Sequence, residues 1–163
     1  MIINGPSLLM VAPIKGMLKT KERSHGVSHG LSEAGYDIRI KQTIDFRVPD
    51  AMPARVTVDG IHVGQRFCIA SAIEEFDMPE NLVGIVHDKS TWARRGLSVF
   101  NTVIEPGWKG YLTLELIYHG TDPLVIPAGA GIAQVVFHQT LEYASYDGKY
   151  QNQADMPIGA INE

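Results

Sequence analysis

The sequence predicts an all-β fold. Its 16 glycines and 9 prolines fall between short stretches in which apolar and polar residues alternate, and helical spacing is confined to two brief segments. Alternation with a period of two puts successive side chains on opposite faces of a strand. The first helical segment lies near Pro6-Ser7-Leu8-Leu9. Residues 19–30 are polar and rich in Gly, Ser and His, which predicts a mobile loop. Tyr36-Asp37-Ile38-Arg39-Ile40-Lys41 then sets Tyr36, Ile38 and Ile40 on one strand face. Arg55-Val56-Thr57-Val58, Arg66-Phe67-Cys68-Ile69-Ala70 and Leu82-Val83-Gly84-Ile85-Val86 read as further strands. The second helical segment runs from Ser90 to Gly96, with Ser90 as N-cap and Gly96 as stop. From Tyr111 to Tyr118 the alternation is clearest. Leu112, Leu114 and Leu116 share one face, and Tyr111, Thr113, Glu115 and Ile117 share the other. Gly131 to His138 is a nearly continuous apolar strand. Turns are marked by Asp59-Gly60, Glu105-Pro106-Gly107, His119-Gly120 and Pro127-Ala128-Gly129. From Tyr146 onward the chain reads as a polar tail, residues 146–163.

The 163 residues suit one domain, 1–163, with a core of its own; 45% are hydrophobic and 20% charged. A net charge of −4 argues against coating nucleic acid, so an anionic ligand has to be met by a local basic pocket. The apolar runs are too short for a membrane span. The start, Met1-Ile2-Ile3-Asn4-Gly5-Pro6, lacks the basic-then-apolar pattern of a signal peptide, and a cytoplasmic location is the expectation. The single cysteine, Cys68, excludes an internal disulfide and a multi-cysteine zinc site. The histidines have no ligand spacing for zinc, and the H-x-E plus P-C-x-x-C pattern of zinc-dependent deaminases is absent.

Three segments carry candidate chemistry. In Asp88-Lys89-Ser90-Thr91-Trp92-Ala93-Arg94-Arg95-Gly96, a helical turn opens with free amides beside Lys89, Ser90, Thr91 and Arg94. That is a plausible phosphate seat, with a capped surface turn as the equal alternative. In Glu105-Pro106-Gly107-Trp108-Lys109-Gly110, followed by Thr113-Leu114-Glu115, two carboxylates bracket an aromatic ring. The ring offers a flat surface for a base or sugar, and Glu115, flanked by leucines, suits a proton shuttle if burial raises its pKa. A solvated strand glutamate is the commoner fate. In Tyr146-Asp147-Gly148-Lys149-Tyr150-Gln151-Asn152-Gln153, tyrosines, a lysine and amides can fold over a triphosphate as a lid, where an exposed terminus is the ordinary alternative.

Taken in order, these segments resemble the dCTP deaminase / dUTPase family. Ala34-Gly35-Tyr36-Asp37-Ile38-Arg39 is similar to its first motif. Lys89-Ser90-Thr91-Trp92-Ala93-Arg94-Arg95-Gly96-Leu97 resembles R-S-S-x-A-R-x-G-L of the deaminases. Ile104-Glu105-Pro106-Gly107-Trp108-Lys109-Gly110 with Thr113-Leu114-Glu115 resembles I-D-x-G-[FW]-x-G…T-L-E. Gly131-Ile132-Ala133-Gln134 resembles G-x-x-I-A-Q, and Gly148-Lys149-Tyr150-Gln151 the C-terminal K-Y-x-x-Q. The resemblance implies a distorted β-barrel or jelly roll that assembles as a homotrimer with active sites between subunits. It implies nucleotide ligands (dCTP, dUTP or dTTP), with Mg²⁺ held through the triphosphate and no zinc. It assigns Glu115 as proton shuttle, with Ser90 and Arg94 completing the catalytic set. Glu105 would meet the deoxyribose 3′-OH, and Thr113 would lie beside the pyrimidine. Tyr146, Lys149 and Gln153 would close on the phosphates, and Lys89, Thr91, Trp108 and Gln134 would complete the substrate contacts.

Glu105 stands where the family has aspartate, one methylene longer. Lys89 stands for arginine and lacks its bidentate fork. The segment from Leu97 to Ile104 is shorter than the deaminase loop. The main expectation is zinc-independent deamination of dCTP to dUTP. The alternatives are dUTP diphosphatase, a bifunctional enzyme running from dCTP to dUMP, and a non-catalytic nucleotide-binding regulator. The glycine-rich phosphate lid of a plain diphosphatase, R-G-x-x-G-F-G-S-T-G, is absent.

Overall fold

A computed structural model describes residues 1–46, 56–58, 61–63 and 66–162. Among the described residues the two helices are short, α1 (Gly5–Val11) and α2 (Ser90–Ala93). The strands in chain order are β1 (Ile2–Ile3), β2 (Lys21–Ser24), β3 (Val27–Leu31), β4 (Tyr36–Arg39), β5 (Ile44–Asp45), β6 (Val56–Val58) and β7 (Ile61–Val63). They continue with β8 (Phe67–Asp77), β9 (Leu82–Asp88), β10 (Leu97–Val99), β11 (Val103–Ile104), β12 (Lys109–Tyr118), β13 (Val125–Ile126) and β14 (Gly131–Gln139). The expected strands are all found, although Arg55 and the Asp59-Gly60 turn lie outside the described residues.

Among the described residues, seven strands form one sheet in the order β11-β9-β14-β4-β3-β2, with β1 added on β14. Five form a second sheet, β10-β12-β8-β7-β6, and β13 pairs with β5. Both sheets feed one buried cluster, as in a jelly roll. Leu112, Leu114, Leu116 and Tyr118 come from β12, Ile38 from β4, and Val135 and Phe137 from β14. Each fully buried side chain of this size stabilises the fold by about 1.5–3 kcal/mol. β14 pairs with both β4 and β9. Its burial alternates, with Ala133, Val135 and Phe137 buried and Gln134, Val136 and His138 on the partly exposed face.

Two local expectations are corrected. Residues 19–30 are a hairpin rather than a loop, with β2 and β3 in register from Lys21 opposite Gly30 to Ser24 opposite Val27. His25 (φ 51°) and Gly26 (φ 76°) both take left-handed backbone, the requirement of the tight turn that matches strand twist. The polar composition follows from position. β2 ends its sheet, and exposed Lys21, Glu22 and Arg23 leave that edge charged, while Val27 and His29 of β3 are buried. The second correction is the cap of α2. Lys89, not Ser90, is its N-cap, with no side-chain cap bond, while Gly96 follows in left-handed backbone as expected.

Candidate active site

β12 shows Leu114 and Leu116 to the core and Thr113 and Glu115 to a cleft of about 680 Å³, which Leu112 lines as well, beside an irregularity in the pairing of β12 with β8 between Tyr111 and Thr113. The cleft floor is shared with β8, where Ile69 lies directly opposite Glu115 and Ser71 opposite Thr113. Phe67, Thr102, Val103 and Ile104 form one wall, and Glu105 and Trp108 another. The Glu115 carboxyl is half-buried. Desolvation pushes its pKa above the usual 4.5, opposed by its own backbone N–H and by the Thr102 hydroxyl 3.4 Å away. Of the two fates open to Glu115 in the sequence, the structure shows the partly desolvated one, the less common for a strand glutamate.

The tail closes the cleft instead of trailing into solvent. The Trp108 indole N–H donates to Tyr150 O at 2.7 Å, and that ring packs against Phe76 with centroids 6.0 Å apart. Trp108 is thus a buried post for the tail that also lines the cleft. The Gln151 side chain accepts from Lys109 N (2.8 Å) and donates to Gly107 O (3.0 Å) and Tyr146 O (2.8 Å). Its amide is therefore committed to the protein and not spare for a phosphate. Gln153 bridges to Gly110, whose backbone takes φ +130°; a Cβ there would stand 2.5 Å from Gln153 N, so the approach requires glycine. Further on, Ile158 N donates to Thr113 Oγ1 at 3.0 Å, and Ile161 N to the Tyr150 hydroxyl at 3.1 Å. Lys149 Nζ donates to Ile161 O at 2.7 Å, so it ties the tail to itself and lies off the cleft lining. Tyr146 packs on the core and lines the cleft with Gln153.

The other half of the expected site lies elsewhere. Ser90, Thr91 and Arg94 are exposed on α2, and none lines this cleft. Lys89 reaches back 2.5 Å to Asp37 Oδ2, with both side chains almost wholly buried. Asp37 also accepts from Ser28 Oγ (3.2 Å) and Gln134 Nε2 (3.3 Å), and Gln134 donates to Ser32 Oγ at 2.9 Å. Lys89 and Gln134 thus belong to a buried polar network that anchors the start of α2, and the lysine charge is already balanced. Trp92 fastens the same turn through a 2.6 Å bond from its indole N–H to Gly131 O.

Thr102, Ile69, Phe67 and Tyr150 line the cleft without having been singled out in the sequence. Tyr150 sits inside the Lys149-Tyr150-Gln151 motif and was within reach. Thr102 carries no sequence signal, because its importance comes from a strand thirteen residues later. Cys68 is core, and burial pushes its thiol up to about 12. Among the described residues, no three His, Cys, Asp or Glu side chains gather to hold a metal ion, and no helix is long and apolar enough to cross a membrane.

Comparison with known proteins gives the family and the fold. A dCTP deaminase of Protochlamydia amoebophila is 35% identical over 150 residues, 81% of this chain and 80% of its own. A 2′-deoxycytidine 5′-triphosphate deaminase from Agrobacterium tumefaciens superposes with a TM-score of 0.58 at 17% identity, covering 85% of this chain and 48% of that one. The EIAV dUTPase superposes with a TM-score of 0.50 at 19% identity, covering 72% of this chain and 85% of that one. At such identities the two structures speak for the shared fold. The family model described as dCTP deaminase-like matches residues 17–140, from the β2–β3 hairpin through the end of β14, and with it this chain belongs to the dCTP deaminase-like family.

Proposed function

We propose that this chain hydrolyses dCTP to dUTP and ammonia, with Glu115 as the proton shuttle. The observation that carries the reading is a half-buried carboxylate, raised in pKa, on the floor of a cleft of nucleotide size. Glu115 takes a proton from water as the oxygen attacks C4 of the cytosine, and gives it to N3. It then takes the remaining hydroxyl proton and delivers it to the departing amine, so that C4=O forms as ammonia leaves. A carboxylate that alternates in this way needs a pKa nearer to neutrality than an exposed glutamate has. The family resemblance and the named relatives supply the substrate class.

In this reading Thr113 lies beside the pyrimidine, Glu105 beside the sugar, and Tyr146, Gln153 and the strand of tail above them close the cleft over the nucleotide. Ser90, Thr91 and Arg94 serve the cleft of a neighbouring subunit in a homotrimer. Their exposure supports this, as do Phe100 and Val103, 51% and 52% exposed beside the cleft. Mg²⁺ would be held through the triphosphate of the bound nucleotide. The donor set suits an ion held by phosphate oxygens and water, since among the described residues the cleft lining offers carboxylates from Glu105 and Glu115. Its charge would offset that of the phosphates, and the chemistry at C4 needs no zinc.

Incubation with dCTP and Mg²⁺, separating dCTP, dUTP and dUMP, tests the proposal. Accumulation of dUTP is expected. A second reading is onward hydrolysis to dUMP; the Ala34-Gly35-Tyr36-Asp37 segment and Gln134 lean towards it, whereas Glu105, lining the cleft in place of the diphosphatase aspartate, leans against it. Appearance of dUMP from dCTP would establish it. Binding with no turnover would make the protein a nucleotide-binding regulator.

A further inference from the structure

We propose that Thr102 is the positioning residue for Glu115, its hydroxyl holding the carboxyl in both protonation states. Thr102 Oγ1 stands 3.4 Å from Glu115 Oε2 and 3.3 Å from Phe100 O. A hydroxyl has one proton to give and lone pairs to receive, and its hydrogen rotates to suit. When Glu115 is ionised, the Thr102 O–H turns to Oε2. When Glu115 is protonated, its own O–H donates to Thr102 Oγ1, and the threonine hydrogen swings to Phe100 O. A fixed amide N–H would favour only the carboxylate, and a carbonyl only the acid. A shuttle that visits both forms in one turnover needs a neighbour that serves both.

The hydroxyl is held in place from two sides. Thr102 O accepts from Val86 N of β9 at 3.0 Å, and Phe100 N donates to Glu115 O of β12 at 3.0 Å. The turn therefore spans both sheets, and the two distances to Thr102 Oγ1 have room to shorten when a nucleotide fills the cleft. The elements around Glu115 bring little charge. Facing residues on β8 are Phe67, Ile69 and Ser71, and β10 carries Leu97, Ser98 and Val99. The other ionisable groups lining the cleft are Glu105, Tyr146 and Tyr150. Among the described residues Thr102 is thus the side-chain hydrogen-bond partner of the Glu115 carboxyl, and its effect is to lower the raised pKa.

This role rests on Glu115 being the shuttle, so the test has one readout with activity and one without. Thr102→Val keeps the shape and removes the hydroxyl; Thr102→Ser keeps the hydroxyl. In the valine variant, the acidic limb of the kcat profile with dCTP should move to higher pH. Its kcat should fall about tenfold with KM little changed. The Glu115 carboxyl should titrate at higher pH when followed by carbon-13 NMR in the full chain without nucleotide. The serine variant should restore all three. Should the valine variant fail to fold, as judged by circular dichroism, Thr102→Ala takes its place against the same serine control. A valine or alanine variant with wild-type kcat, pH profile and titration overturns the inference. So does a serine variant impaired as deeply as the valine one. If the wild-type protein leaves dCTP untouched, the proposed function fails first, and the NMR titration still decides whether Thr102 governs Glu115.

Discussion

Glu115 keeps its proton to a higher pH than an ordinary glutamate because burial in the cleft strips water from its charged form. A raised carboxyl pKa makes a stabilising contribution that is fully present below the unfolded value near 4.5 and is lost as pH rises through the folded one. Glu115→Gln should therefore melt at a higher temperature than wild type at neutral pH, and the gap should vanish below about pH 4. The same change should lower deamination about 10²–10⁴-fold while calorimetry still registers dCTP binding. Turnover at the wild-type rate would remove Glu115 from the mechanism. Lys89 obeys a different logic, since its partner Asp37 is almost wholly buried. Lys89→Met should cost about 3–5 kcal/mol in urea denaturation, because it strands an unpaired carboxylate in the interior. Arg94→Ala, on an exposed residue, should leave stability unchanged and reduce turnover. If the Lys89 variant instead unfolds at the wild-type urea concentration, the buried pair is not holding α2.

The tail divides into a clamp and a strap. Tyr146 through Gln153 is bound to Trp108, Gly107, Lys109 and Tyr111 by backbone and Gln151 bonds, whereas Ile158 to Asn162 rests over the cleft on Thr113 and Tyr150. Deleting the chain from Met156 onward should leave the melting temperature nearly unchanged and raise the KM for dCTP. Deleting from Tyr146 should lower the melting temperature as well, since Trp108 loses its acceptor and its cover. Lys149→Ala should shift KM in the same direction as the shorter deletion, but less. Equal kinetics for wild type and the shorter deletion would reduce the strap to a solvated end. These elements also show what the sequence could and could not disclose. β12 was legible because Leu112, Leu114 and Leu116 recur at every second position. β2 and β3 were not, because an edge hairpin buries little and its charged residues imitate a loop. The segment was legible as a possible lid, but its clamping was not, because the hold is made of backbone bonds, the Trp108 indole and one glutamine, none of which leaves an apolar period. The family motifs located Glu105, Thr113, Glu115, Tyr146 and Gln153 in one cleft, but motif order alone does not say that Lys89 and Gln134 turn inward to Asp37.

In the whole molecule, the β9–β10 connection carries Ser90 and Arg94 outward on α2, while Glu115 stands in a cleft that neither of them lines. Light scattering should find a trimer, and a monomer at working concentration would defeat the assembly. Mixing Arg94→Ala with Glu115→Gln chains should restore part of the activity, since some clefts would then draw an intact residue from each parent. No recovery from mixed trimers would place both residues in one chain's site. The separation has a further consequence in the language of mass action. If a lone chain holds only half of a working centre, the number of centres follows the number of trimers, not the number of chains. Once dilution drives the assembly mostly apart, trimers scale with the cube of chain concentration, and activity per chain falls as its square. A tenfold dilution in that regime would then cost about a hundredfold in specific activity. A nucleotide that bridges two subunits would oppose the loss, so that saturating substrate protects the enzyme against dilution as well as against heat.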